Sequence, residues 1–331
     1  MIYAVNLGDN TEAAVSFQDV DTLTLNNDWL QLTDPTDREL EAVAKKTAIP
    51  KHLLELPKAG VTVNLRLEDE FTIINFVIPQ DVVATKEVDP IVMAFSKSFL
   101  VTVTKKVHSQ ILTTVKERMS KTKIDPPGMV TYLIIDEIVS SHFVHMEKLE
   151  DLTSKIEEEV VEKTSPETLK RIFKLKSKLI SFNKLLWYER GLIFNLKTCS
   201  DGCMATKTRE LFNTTHEDLT RQIDIVETYR EIISDAINVY LSAVSNKINF
   251  SIKSLTVVIF YLTIITTVTS FPNTVATFFG ISQFGQSHIL IVAVSLLLSI
   301  ILPFLWLWRR RWLKYDETEI LKREAYTTNG N

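Results

Sequence analysis

From Ser254 to Trp308 the chain carries no Asp, Glu, Lys or Arg, whereas everything before that stretch is densely charged. Two apolar runs lie inside it, Leu255–Val275 with 21 residues and Ile289–Trp308 with 20. At about 1.5 Å per helical residue each spans roughly 30 Å, the hydrocarbon thickness of a bilayer. A hairpin buried in a soluble core is the alternative, but two such runs without a charge are rare in soluble folds. Lys247 and Lys253 precede the first run. Trp306, Trp308, Arg309, Arg310, Arg311, Trp312 and Lys314 close the second as an aromatic belt followed by a basic cluster. The connection between the runs holds no Lys or Arg. The bias of basic residues toward the inner face therefore predicts a multi-pass protein of the plasma membrane, with both termini cytoplasmic and a short loop outside.

The remaining composition excludes more than it identifies. A formal net charge of −4 lacks the basic footprint of a nucleic-acid binder. The start, MIYAVNLGDNTEAAV, has neither the basic nor the apolar segment of a signal peptide. No nucleotide loop, HExxH or nucleophile motif occurs, so an enzyme is not expected. Cys199 and Cys203 could offer two metal ligands, with His216 as a third. A closed zinc site needs four, and two surface cysteines at a helix–loop junction are the plainer reading.

The first span has a polar side. Asn249, Ile252, Thr256, Ile259, Thr263, Thr266, Ser270 and Asn273 follow in steps of three and four, which places them along one seam of a supercoiled helix. In lipid such a seam must face protein or water. One stripe cannot enclose a pore, but several copies around a symmetry axis can. The threonines could instead bond back to their own helix or glue helices together. The apolar positions Ile252, Leu255 and Ile259, where the helix enters the membrane, are candidates for a gate that closes by dewetting.

Ahead of the spans, 61-VTVNLRL-67, 71-FTIINFVI-78, 91-IVMAF-95 and 99-FLVTVTK-105 alternate as strands. A helix over 34–49 is expected, with Asp34 as N-cap and Pro35 at its first position. Further helices are expected over 108–120, 130–163 and 167–197, with Ser165 capping the last and Pro166 in its first turn. The second ends acidic (Glu157, Glu158, Glu159, Glu162) and the third is basic (Lys170, Arg171, Lys174, Lys176, Lys178), so an antiparallel pair of opposite charge is predicted. From about Glu217 a helical pattern without Gly or Pro runs into the first span. The divisions expected are an α/β domain over 1–125, a helix pair over 126–200 and a stalk helix over 210–253. Beyond these come span 1 (254–275), an external loop (276–288), span 2 (289–308) and a basic tail (309–331).

Read together, 29-WLQLTDPTDRELEAVAKKTAI-49, 91-IVMAFSKSFLVTV-103, 129-MVTYLIIDEIVSSHFVHMEKLEDLTSKIEEEVV-161 and above all 226-VETYREIISDAINVYLSAVSNKINFSIKSLT-256 resemble the CorA family of pentameric divalent-cation channels. The resemblance implies an α+β (α/β/α) cytoplasmic funnel domain, a long stalk helix and two C-terminal transmembrane helices, the first lining the pore of a homopentamer. Carried over by position, Asn249, Ile252, Leu255, Thr263, Thr266 and Ser270 would face that pore. A basic ring of Arg309, Arg310, Arg311 and Lys314 would meet the acidic end of the helix pair. The ion would be Mg2+, or Co2+, Ni2+ or Zn2+, as substrate and regulator, with no covalently bound cofactor.

The sequence departs from that family where selectivity is set. The family signature Tyr-Gly-Met-Asn is replaced by Pro272, Asn273, Thr274 and Val275, and 269-TSFPNTVATFFGISQFGQSH-288 holds no acidic residue. Asn273 could still supply a ring of amide oxygens if Pro272 bends the helix. Family members sense Mg2+ through carboxylates at subunit interfaces. Glu217, Asp218 and Asp224 are the candidates here, although Thr214 occupies the position matching a family sensor carboxylate and acidic groups at a helix start are ordinary dipole partners. The competing expectation is a non-conducting or differently selective relative: an anion or efflux channel, or a membrane-anchored sensor or scaffold.

Overall fold

The structure, a computed structural model, describes residues 1–7, 11–57, 63–68, 70–79, 88–120, 127–162, 164–199, 204–278 and 286–310. The chain forms two compact units, Met1–Ala243 and Val244–Asn331.

The first unit is built on a seven-stranded sheet. Its strands are β1 (Ile2–Asn6), β2 (Glu12–Val15), β3 (Asp28–Thr33), β4 (Asn64–Leu67), β5 (Thr72–Pro79), β6 (Val88–Phe95) and β7 (Phe99–Thr104), in the order β2-β1-β3-β7-β6-β5-β4. All pairs are antiparallel except β3–β7, where an N-terminal three-strand group meets a C-terminal meander. The Trp29 indole N–H donates to Thr102 Oγ1 across that junction at 3.0 Å. Successive residues of β3, β5, β6 and β7 are buried, so both faces are covered, which is why these strands read as near-continuous apolar runs. On one face, Leu30, Leu32, Ile73, Val92, Val101 and Val103 pack with Leu40, Val43 and Ala44 of α1 (Asp37–Thr47) and with Leu54 of the short α2 (Lys51–Leu54). The other face is covered by α3 (Ser109–Ser120) and α4 (Pro127–Glu162). Each fully buried aliphatic side chain contributes about 1.5–3 kcal/mol.

The meander follows the expected alternation, with residues 61 and 62 outside the described residues. The three N-terminal strands were not anticipated, because β2 is mostly exposed and carries little apolar pattern. The α1 cap is corrected. Thr36, not Asp34, is the N-cap: its hydroxyl accepts from the Glu39 N–H at 3.4 Å while the Glu39 carboxylate accepts from the Thr36 N–H at 2.7 Å. This reciprocal box satisfies two helix-end groups at once, which Asp34 has no partner to do. Asp34 instead takes a left-handed backbone (φ 43°) and donates its N–H to Thr104 at 2.8 Å.

Three long helices complete the unit: α4, α5 (Pro166–Thr198) and the first part of α6 (Thr206–Phe278). Ser165 caps α5 and Pro166 stands in its first turn, as the sequence predicts. In the charge pairing of α4 and α5, Glu159 accepts from Thr168 Oγ1 at 3.0 Å and pairs with Arg171. Lys176 turns to α6, donating to Ser234 Oγ at 3.2 Å. The helix α6 begins at Thr206, earlier than the Glu217 start expected.

In the second unit α6 continues to Phe278, through Pro272 and beyond the expected end at Val275. It is joined there by α7 (Gln286–Arg310). Pro272, Ser295 and Ser299 are buried, while the apolar residues around them are largely exposed on the chain.

Candidate functional site

Every seam residue, and Leu255 beside them, lies on α6 in the second unit. Asn249, Ile252, Leu255, Thr256, Ile259, Thr263, Thr266, Ser270 and Asn273 are all exposed. So are most apolar neighbours around the same helix, including Phe250, Val257, Val258, Tyr261, Leu262 and Ile265. A helix apolar on most sides and unburied by its own chain is long and apolar enough to cross a bilayer.

The hydroxyl hydrogens of the seam's threonines are already committed. Thr256 donates to Ile252 O at 2.8 Å, Thr263 to Ile259 O at 2.8 Å and Thr266 to Thr263 O at 2.9 Å. Further along α6 Thr274 donates to Ser270 O at 2.8 Å, and one turn on Thr277 donates to Asn273 O at 2.8 Å. A hydroxyl has one hydrogen and two lone pairs. With the hydrogen spent on the backbone, each oxygen presents only lone pairs outward. The back-bonding expected as an alternative to a pore is therefore present, and it leaves the threonine oxygens of the seam as acceptors.

The other predicted groups are dispersed. Glu217 and Asp224 are exposed, and Asp218 lies 3.6 Å from Arg221. Because α6 starts at Thr206, these acids lie well inside the helix and are not partners of its N-terminal dipole. Among the described residues no group of three His, Cys, Asp or Glu is placed to hold a metal. Cys199 is buried rather than on the surface, its thiol 3.1 Å from the Leu196 carbonyl at the end of α5, and Cys203 lies outside the described residues. His216 sits against Phe194, with burial and the charges of Lys197 and Arg190 lowering its pKa. Arg309 and Arg310 end α7, whereas Arg311 and Lys314 lie outside the described residues.

One polar cluster escaped the sequence reading. His142 (α4), Glu189 (α5) and Gln222 (α6) are fully buried where the three helices meet. Gln222 Nε2 donates to Val139 O at 3.0 Å, so its Oε1 accepts from His142 Nδ1 at 3.1 Å. The remaining ring nitrogen then offers a lone pair to Glu189 Oε2, 3.5 Å away. Burial drives Glu189 well above the usual carboxylate range and His142 down to about 4. Both shifts favour a neutral carboxyl facing a neutral imidazole. The signal was available: each residue occupies a core position in a three-and-four apolar stripe, such as Phe182, Leu186, Glu189, Ile193 and Leu196.

Residues 26–311 match the family described as CorA-like Mg2+ transporter protein. The chain belongs to the CorA family. Along the chain it is 24% identical over 315 residues to the cobalt/magnesium transport protein CorA of Methanocaldococcus jannaschii, covering 89% of this chain and 92% of that one. A shorter stretch of 127 residues is 35% identical to the cobalt/magnesium transport protein CorA of Thermotoga maritima and spans 38% of this chain but only 36% of that relative. The complete structure of the CorA magnesium transporter from Methanocaldococcus jannaschii superposes with a TM-score of 0.67 at 20% identity, over 91% of this chain and 96% of that one. The CorA fold is therefore present, and the family is one of transport proteins, not enzymes.

Proposed function

We propose that the chain assembles as a homopentamer in the plasma membrane, both termini cytoplasmic, with α6 lining a pore and α7 crossing the bilayer outside it. The pore conducts hydrated divalent cations, Mg2+ first among them and Co2+, Ni2+ or Zn2+ by the same chemistry. The observation that carries this reading is the back-bonded hydroxyl seam. Water molecules around a cation point their hydrogens outward and need acceptors, whereas an anion needs donors. Threonine oxygens whose own hydrogens are occupied serve the first better than the second. Ile252, Leu255 and Ile259 form the apolar constriction below it. In this reading Asn273 supplies the amide ring at the outer end, the basic ring of Arg309, Arg310, Arg311 and Lys314 sits at the inner end, and Mg2+ at Glu217, Asp218 and Asp224 between subunits regulates opening.

A second reading, a differently selective member, is favoured by one observation: the signature Gly-Met-Asn is absent and the segment over 276–288 lacks carboxylates. The experiment that separates them is flux into liposomes holding the purified chain, comparing Mg2+, Zn2+, Ni2+ and Cl−. Mg2+ flux above Cl− flux is expected. Chloride flux above that of all three cations would overturn the acceptor-seam reading, and no flux with the pentamer intact would leave a scaffold.

A further inference from the structure

A proline in a transmembrane helix leaves a carbonyl without its partner. Residue 272 has no N–H, so the carbonyl of Val268, four residues earlier, loses its ordinary helical donor. In hydrocarbon an unsatisfied carbonyl is costly, and it is usually answered by a neighbouring helix or a Ser or Thr side chain. The second unit supplies one. Ser299 of α7, itself 6% exposed, brings its hydroxyl to 3.4 Å from the Val268 carbonyl. The same oxygen lies 2.8 Å from Leu296 O on its own helix. One hydrogen thus has two acceptors on two different helices. Ser295, one turn earlier and also buried, keeps that side of α7 small enough for the approach.

We propose that Ser299 is a positioning residue for the outer end of the pore, holding α6 at Pro272 through the carbonyl the proline frees. With its hydrogen on Val268, the hydroxyl ties the turn that aims Asn273 and Thr274 to α7. With the hydrogen on Leu296, that turn is released. Buried Pro272 and exposed Asn273 are adjacent residues, so a small rotation at one redirects the other. Ser299 touches no ion and acts through the backbone of α6. This inference rests on the transport reading above.

The test is a double-mutant cycle with Ser299→Ala, Pro272→Ala and the pair, together with Ser299→Thr, all as full-length chains in liposomes. Ser299→Ala is expected to change the ratio of Mg2+ to Zn2+ flux by about three- to tenfold, the scale of one hydrogen bond, while Ser299→Thr retains the original ratio. In Pro272→Ala the new N–H satisfies Val268, so adding Ser299→Ala changes the ratio no further. Equal effects of Ser299→Ala in both backgrounds, or no effect while the unmodified chain transports, overturn the proposal. If the unmodified chain passes no ion, the transport reading fails by itself. The contact is then read from the thermal midpoints of the same four proteins in detergent: non-additive losses support it and additive losses overturn it.

Discussion

Hydroxyls bond back to their own helix in α4 and α6 inside Met1–Ala243 (Thr131, Thr153, Thr220) and in α6 beyond Val244 (Thr256, Thr263). The two regions differ in whether polar side chains also reach a neighbouring helix. In the first unit, polar side chains at apolar-stripe positions reach across helices: Gln222 to His142 and Val139, Asn183 to Glu227 at 2.8 Å, Thr215 to Asp136 at 2.9 Å. Beyond Val244 the threonines of α6 bond only along their own helix and stay exposed. The lesson is about where partners are found. A polar residue with a cross-helix partner specifies how three helices of one chain fit together. A polar residue that is bonded to its own backbone and also exposed leaves its lone pairs for water, another copy of the chain, or a passing ion's hydration shell. Ser299 is intermediate, with one acceptor on each side.

The contrast can be broken most directly at its outward end. Thr263→Leu removes a lone-pair oxygen and fills the seam with a methyl-rich side chain. Cation flux in liposomes is expected to fall by about thirtyfold, with unchanged oligomer size by light scattering; a pore that needs acceptors at every turn loses about 2 kcal/mol this way. Unchanged flux would assign the threonines to helix packing alone.

The inward end is sharpened by pH. The carboxyl of Glu189 titrates higher in the folded chain than in the unfolded one, so its favourable contribution is complete below the unfolded range and is lost as pH rises toward its folded value. His142, lowered to about 4, behaves oppositely: its contribution is complete above the unfolded imidazole range and disappears as pH falls through about 4. Glu189→Gln keeps a donor for the ring nitrogen without needing a proton. Its thermal midpoint at pH 8 is expected to rise by about 3–6 °C, with the gain shrinking toward pH 4.5. A gain independent of pH would place the proton elsewhere.

Two smaller effects calibrate these. Thr36→Ala breaks the capping box on α1 and should cost about 1 kcal/mol in denaturant unfolding, a purely local loss with no change in flux. Arg171→Ala removes the ion pair to Glu159 at a site where the arginine is 58% exposed, and should cost below about 1 kcal/mol, less at high salt. A larger loss at Arg171 would show that the α4–α5 charge pairing is more than a solvated surface.

Much of the architecture was legible beforehand, because it follows from periodicity. Alternation marked β5 to β7, the Ser165–Pro166 stop marked α5, and the charge-free stretch marked the apolar part of α6 and α7. What escaped was decided by neighbours. The strands β1 to β3 depend on pairing with one another and with β7, and the α1 cap depends on Glu39 answering Thr36. The seam residues were legible from three-and-four spacing, but the direction of their hydroxyl hydrogens was not, since spacing says which side a residue occupies and nothing about its bond.

By itself, then, the sequence determined the membrane-length helix, the sheet meander and the polar stripe, all set by side-chain periodicity and solvent preference. Only the tertiary structure decided that Glu189 is a buried acid against His142 and that Ser299 reaches the carbonyl freed by Pro272. Both are contacts between helices distant in sequence, and a residue's proton or hydrogen bond depends on which group faces it.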